Sequence, residues 1–67
     1  MKTIYDVQQF LKRFGTIIYV GDRLGDLELM KAELEELRHT EIIEKQDFDM
    51  AVLLLNQGIQ QLKEKQK

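Results

Sequence analysis

The sequence predicts an all-α fold, a compact three-helix bundle. The chain contains no proline, 43% of its residues are apolar, and these residues recur at three- and four-residue spacings along three segments. We predict helices at about residues 4–14, 23–39 and 45–63, with an ordered apolar connection over residues 15–22. With 67 residues, the chain is expected to form one domain, residues 1–67, with a small core.

The first predicted helix follows Thr3, a residue type that caps helix N-termini by accepting a backbone hydrogen bond. Gly15 lies where a left-handed residue commonly ends a helix. Between them, one apolar stripe has helical spacing: Ile4, Val7, Phe10, Leu11 and Phe14. These signals predict a helix whose apolar side packs on the rest of the chain.

The next segment, Thr16 to Val20, is β-prone, but no second alternating run in the sequence offers it a partner strand. We therefore interpret it as a connection that packs Ile17, Ile18 and Val20 against the bundle. Gly21 permits a sharp turn after it.

Asp22 is the expected N-cap of the second helix, because its carboxylate suits the positive end of the helix dipole. The stripe of this helix comprises Leu24, Leu27, Met30, Leu34 and Leu37. Gly25 within the first turn indicates either a loose turn or a close neighbour. Ile42 and Ile43 are expected to anchor the short connection that follows.

The third helix has the widest apolar surface. Its main stripe comprises Phe48, Val52, Leu55, Ile59 and Leu62. Met50, Leu53 and Leu54 extend this surface well beyond one face, which indicates either a central position in the bundle or a contact surface for a protein partner or a second copy. We expect Gln66 and Lys67, after the helix, to be frayed.

Charge is unevenly distributed, although the net charge is only −2. Four basic and two acidic residues give residues 1–23 a charge of +2, whereas three basic and nine acidic residues give residues 24–49 a charge of −6. Residues 50–67, with three lysines and one glutamate, carry +2. A phosphate-binding surface would therefore come from the ends of the chain.

The sequence offers little for catalysis. Serine and cysteine are absent, so a nucleophile–histidine pair has few candidate members. His39, beside Glu35, Glu36 and Glu41, is typical of a solvated helix end rather than a metal site. The glycines lack the spacing of a phosphate-binding loop. We predict a protein that is not an enzyme and has neither a cofactor nor a metal.

Neither a signal peptide nor a membrane-spanning run is evident in the sequence, so we expect a cytoplasmic protein with no membrane partner. The absence of cysteine is compatible with a reducing compartment.

The basic, aromatic N-terminal part provides the minimum set of side chains for binding single-stranded nucleic acid, because bases stack on aromatic rings and basic side chains bind phosphates. The candidate residues are Tyr5, Lys12, Arg13, Tyr19 and Arg23. A purely structural explanation remains open, in which Tyr19 packs at the surface and Arg23 pairs with Asp22 or Asp26. Double-stranded DNA fits less well, because acidic residues on the second and third helices would repel phosphates.

Several segments resemble the YqgQ-like family of small uncharacterised proteins from low-GC Gram-positive bacteria. They are Tyr5-Asp6-Val7-Gln8-Gln9, Gly15-Thr16-Ile17-Ile18-Tyr19, Gly21-Asp22-Arg23 and Asp26-Leu27-Glu28-Leu29-Met30. The resemblance implies a three-helix bundle and binding of single-stranded nucleic acid through Tyr5, Lys12, Arg13, Tyr19 and Arg23.

We therefore carry two hypotheses from the sequence. The first is a non-enzymatic module that binds single-stranded DNA or RNA. The alternative is an interaction or homo-oligomerising adaptor that uses Met50, Leu53 and Leu54 on the third helix.

Overall fold

Three helices form the described part of the chain, residues 1–65 of a computed structural model. The helices are α1 (Ile4–Lys12), α2 (Arg23–His39) and α3 (Lys45–Lys65), and residues 1–65 contain no strand. The predicted all-α three-helix fold is confirmed. The expected fraying of Gln66 and Lys67 lies outside the described residues.

A capping box starts α1. The Thr3 hydroxyl accepts a hydrogen bond from the Asp6 N–H at 3.2 Å, and the Asp6 carboxylate accepts one from the Thr3 N–H at 3.1 Å. A further N–H, from Lys2, reaches the same carboxylate at 2.8 Å. These bonds satisfy donors that a helix N-terminus leaves free, so the predicted role of Thr3 is confirmed.

The end of α1 comes earlier than predicted, at Lys12 instead of residue 14. The N–H of Phe14 donates to the carbonyl of Leu11, three residues back, so the chain tightens out of α-helical geometry. Gly15 then adopts a left-handed φ of +83°, and the Thr16 N–H bonds the Leu11 carbonyl at 3.2 Å. Gly15 thus ends the helix in the predicted way.

The connection over residues 15–22 runs back along α2. The Thr16 hydroxyl donates to Glu33 at 3.0 Å, and the Val20 N–H donates to Asp26 at 2.7 Å. The predicted packing of the connection is right for Ile18, which contacts the core. It is wrong for Ile17 and Val20, which are 76% and 59% exposed, because polar bonds to α2 hold this segment in place.

The bounds of α2 match the prediction, and Asp22 caps it by accepting from the Gly25 N–H at 3.1 Å. Gly25 has a close neighbour, since a Cβ there would lie 2.9 Å from Asp22 Oδ2. Four residues of the predicted apolar stripe of α2 are buried, namely Leu27, Met30, Leu34 and Leu37. Asp26, in the first turn of α2, is also buried.

After α2, the chain reverses through Glu41, whose φ of +63° is left-handed. The Ile42 N–H bonds the Leu37 carbonyl at 3.1 Å, which closes the turn as a glycine would. Ile43 is buried as predicted. Ile42 is 57% exposed, so its predicted anchoring role is wrong; the turn points it away from the core.

Replacing Glu41 with glycine is expected to stabilise the protein by about 0.5–1 kcal/mol, because glycine adopts a left-handed backbone without the steric cost of a Cβ. Chemical denaturation would measure this gain as a higher midpoint with an unchanged slope. Glu35→Gly, at an exposed position within α2, is the matched control and should cost up to about 1 kcal/mol. A loss of stability in Glu41→Gly would contradict the prediction.

The third helix packs against both others, whereas α1 and α2 have little direct contact. Its Ala51 and Leu55 are fully buried with Val7 and Leu11 of α1. The helix extends to Lys65, the last described residue, and so passes the predicted end at residue 63. Its contacts with both other helices match the first of the two predicted alternatives, a central position, whereas Met50 and Leu53, at 44% and 52% exposure, are compatible with the second, a contact surface.

Candidate functional site

The outer face of α1 carries three of the five residues predicted to contact nucleic acid. Tyr5 is 65% exposed, and Lys12 and Arg13 are exposed as well. Tyr5 has Gln8 and Gln9 as its neighbours one turn along the helix, because residues three and four apart share a helix face. The opposite side of α1 buries Val7 and Leu11, so core packing fixes which side chains face solvent.

A small recess lies beside this face, where the connection leaves α1. Its volume is about 180 Å³, and its lining consists of Gln8, Gln9, Lys12, Thr16 and Ile17. The recess thus combines two side-chain amides, one ammonium group, a hydroxyl and an apolar wall. The Thr16 hydroxyl donates to Glu33, so a carboxylate also lies close to this place.

A second, larger groove of about 480 Å³ lies between α1 and the first turn of α3. Its charged lining comprises Lys2, Arg13, Asp6 and Asp47. Hydrogen bonds from the N–H groups of Lys2 and Thr3 lower the pKa of Asp6, so this carboxylate stays ionised at neutral pH. The groove thus carries charges of both signs, and a phosphate bound there would meet the carboxylates of Asp6 and Asp47.

The remaining two predicted residues lie at the start of α2. Tyr19 is 82% exposed and Arg23 is exposed, and neither lines the recess or the larger groove. The nearby carboxylates of Asp22 and Asp26 accept backbone N–H groups from Gly25 and Val20. Of the five predicted residues, Lys12 thus lines the recess and Arg13 lines the larger groove, whereas Tyr19 and Arg23 lie at the far end of the connection.

Of the three residues of the alternative contact surface on α3, two are exposed and one packs against the core. Met50 and Leu53 are 44% and 52% exposed, whereas Leu54 packs against the core. Leu54 therefore contributes to the bundle rather than to a free surface.

Among residues 1–65, no group of three or more histidine, cysteine, aspartate or glutamate side chains is arranged to hold a metal ion. Within the same residues, none of the helices combines the length and apolar character required to cross a bilayer.

Sequence reasoning missed Gln8, Gln9, Thr16 and Ile17, four of the five residues of the recess. Two consecutive glutamines on the solvent side of an amphipathic helix were the available signal. The recess itself could not be foreseen, because it forms only where the connection folds back beside α1.

These features define a class of small all-α proteins, in which three helices expose a basic and aromatic face on the first helix and the connection after it. A family model described as YqgQ-like matches residues 1–61. The chain is also 46% identical over 63 residues to the uncharacterised protein YqgQ of Bacillus subtilis (strain 168), covering 94% of this chain and 89% of that one. The chain belongs to the YqgQ-like family, an uncharacterised family, as the sequence segments predicted.

Proposed function

We propose that this protein is a non-enzymatic module that binds single-stranded DNA or RNA, acting in the cytoplasm as one three-helix domain. The observation that carries the proposal is the exposure of both tyrosines, 65% for Tyr5 on α1 and 82% for Tyr19 on the connection after it, together with the exposure of Lys12, Arg13 and Arg23. Exposed aromatic rings beside basic side chains are the combination that single strands require.

The position of the charges supports this surface. Lys12 and Arg13 extend from the end of α1, while exposed acidic side chains such as Glu28, Glu35 and Glu36 belong to α2. A single strand that follows α1 and then the connection would meet basic groups near its middle and a tyrosine at each end. A rigid duplex is excluded from the proposal, because it would also have to approach the acidic helix.

The recess supports a binding role over a catalytic one. The groups around it are amides, an ammonium group and a hydroxyl already bonded to Glu33, with no histidine or cysteine in the lining. The chain's histidine, His39, is at the end of α2 and lines neither concave site.

The test is fluorescence anisotropy of a labelled single-stranded oligonucleotide at several salt concentrations. We expect affinity to fall as salt rises, because phosphate contacts release counterions. Tyr19→Ala should weaken binding by about 5- to 100-fold through lost stacking, and Lys12→Gln should reduce the salt slope by about 1. Lys63→Gln, in the last turn of α3, makes the same charge change elsewhere and should leave affinity unchanged.

Absence of binding at low salt would overturn the proposal. Because Tyr19 is 82% exposed, its alanine variant should keep the wild-type melting temperature, so lost binding would not reflect unfolding.

A second candidate function is an adaptor or self-associating protein that uses Met50 and Leu53. The observation that favours it is that both side chains stay exposed although α3 contacts the two other helices. Light scattering on the same samples separates the candidates. A strict monomer that binds oligonucleotide supports the first, and a dimer that Leu53→Gln dissociates supports the second.

A further inference from the structure

The recess beside α1 is lined by side-chain amides and an apolar wall, groups that are not needed to bind the phosphates of a single strand. Its volume of about 180 Å³ is below the size of typical small-molecule pockets, which begin near 300 Å³. It can take a single planar nucleobase at most. Since Lys12 lines the recess and Tyr5 lies about two turns of helix earlier, a strand bound along α1 would bring a base to this place.

The amides of Gln8 and Gln9 are available to a ligand. Among the side-chain hydrogen bonds of residues 1–65, the one glutamine bond is that of Gln60 with Glu64, so neither amide has a protein partner there. Each amide offers an acceptor oxygen next to a donor nitrogen. Two such groups side by side in a recess can bond two edges of one base.

The charge near the recess favours an uncharged group over phosphate inside it. Glu33 accepts the Thr16 hydroxyl at 3.0 Å, which brings a carboxylate next to the lining. A phosphate would be repelled by that charge, whereas a base is neutral and gains from the apolar wall of Ile17. The Lys12 ammonium at the edge is then free to contact the backbone phosphate.

We propose that this recess is a base-reading subsite that prefers adenine, with Gln8 and Gln9 bonding its two polar edges. Adenine presents an amino donor beside a ring-nitrogen acceptor on both the Watson–Crick and the Hoogsteen edge, and glutamine is its customary bidentate partner. Single strands allow this, because their unstacked bases expose both edges. This inference rests on the proposed function, since it names the base that the same surface selects.

The experiment compares wild-type affinity for labelled oligo(dA), oligo(dC) and an oligonucleotide of 7-deazaadenine, which retains the fused ring system but lacks the N7 acceptor. We expect oligo(dA) to bind about tenfold more tightly than oligo(dC), and the 7-deaza strand to lose most of that advantage. The double variant Gln8→Leu/Gln9→Leu should bind all three strands equally and keep the salt dependence. Tyr19→Ala is the control, because it should weaken all three by the same factor.

The outcomes separate the two proposals. Salt-dependent binding with equal affinity for the three strands would overturn the adenine subsite and leave the proposed function standing. Equal affinity for oligo(dA) and the 7-deaza strand, with oligo(dC) weaker, would assign the preference to stacking and also overturn the subsite. No binding of any strand at low salt would overturn both proposals. The 7-deaza comparison uses the wild-type protein, so it holds even if the double variant fails to fold.

Discussion

Asp26→Ala is expected to lower the free energy of unfolding by about 1.5–3 kcal/mol, a large change for a polar substitution. Asp26 is only 6% exposed, and its carboxylate accepts the Val20 N–H at 2.7 Å. Alanine would remove the acceptor and leave the Val20 N–H without this partner. Between residues 16 and 20, the connection would then keep only the Thr16–Glu33 hydrogen bond to α2.

The measurement is thermal unfolding combined with amide hydrogen exchange at Val20. We expect the melting temperature to fall by roughly 4–8 °C for each kcal/mol lost, and exchange at Val20 to speed up beyond the global change. Asp26→Asn, which retains an acceptor oxygen, should recover part of both effects. Asp22→Ala is the matched control, because it removes the helix cap at a cost of about 1 kcal/mol but leaves the Val20 bond in place.

Unchanged exchange at Val20 in Asp26→Ala would contradict the prediction. The result also bears on function, because Val20 adjoins Tyr19. If the connection presents Tyr19 to a single strand, loosening it should weaken oligonucleotide binding, since more conformational entropy is lost when the strand binds.

The sequence predicted those features of the fold that depend on local signals. Thr3 and Asp22 cap their helices by short-range hydrogen bonds, and Gly15 adopts the left-handed backbone that its residue type favours. The start of α2 follows from the Asp22 cap, and its bounds agree with the prediction. Such signals need no knowledge of what lies across the bundle.

The features that sequence reasoning missed depend on contacts between distant residues. Ile17 and Val20 were expected to be buried because they are apolar, yet bonds of Thr16 and Val20 to α2 leave both side chains exposed. In a β-prone segment of five residues, the sequence does not indicate which side chains face a neighbouring helix. Glu41 was missed similarly, since nothing in its residue type indicates a positive φ.

The candidate site likewise has residues that local signals could predict and residues that depend on contacts between distant segments. Exposure of Tyr5, Lys12 and Arg13 follows from the helical periodicity of α1, so the sequence could identify them. The recess requires the connection to fold beside Gln8 and Gln9, and its residues come from two segments that no local pattern relates. Whether these residues bind nucleic acid stays a prediction for the oligonucleotide titrations above.

Gly58→Leu is expected to destabilise the protein by about 1–3 kcal/mol, because Gly58 lies where α3 meets both other helices. A Cβ built there would lie 2.8 Å from Ile4 Cδ1 of α1 and 3.1 Å from Leu27 Cδ1 of α2. A leucine would have to push these side chains apart, in a domain whose total stability is only roughly 3–10 kcal/mol by size. Gln57→Leu, at the exposed neighbouring position, should have little effect and serves as the control.

A double-mutant cycle isolates the contact between α1 and α3. Gly58→Ala alone should be nearly neutral, because the gain in helix propensity of about 1 kcal/mol offsets crowding against Ile4. Ile4→Val removes the Cδ1 atom that the new Cβ would meet, so Gly58→Ala should stabilise that background. Denaturation of the four proteins should give a favourable coupling of at least about 0.5 kcal/mol. Strict additivity would mean that the close approach of α1 to Gly58 does not limit the size of this residue.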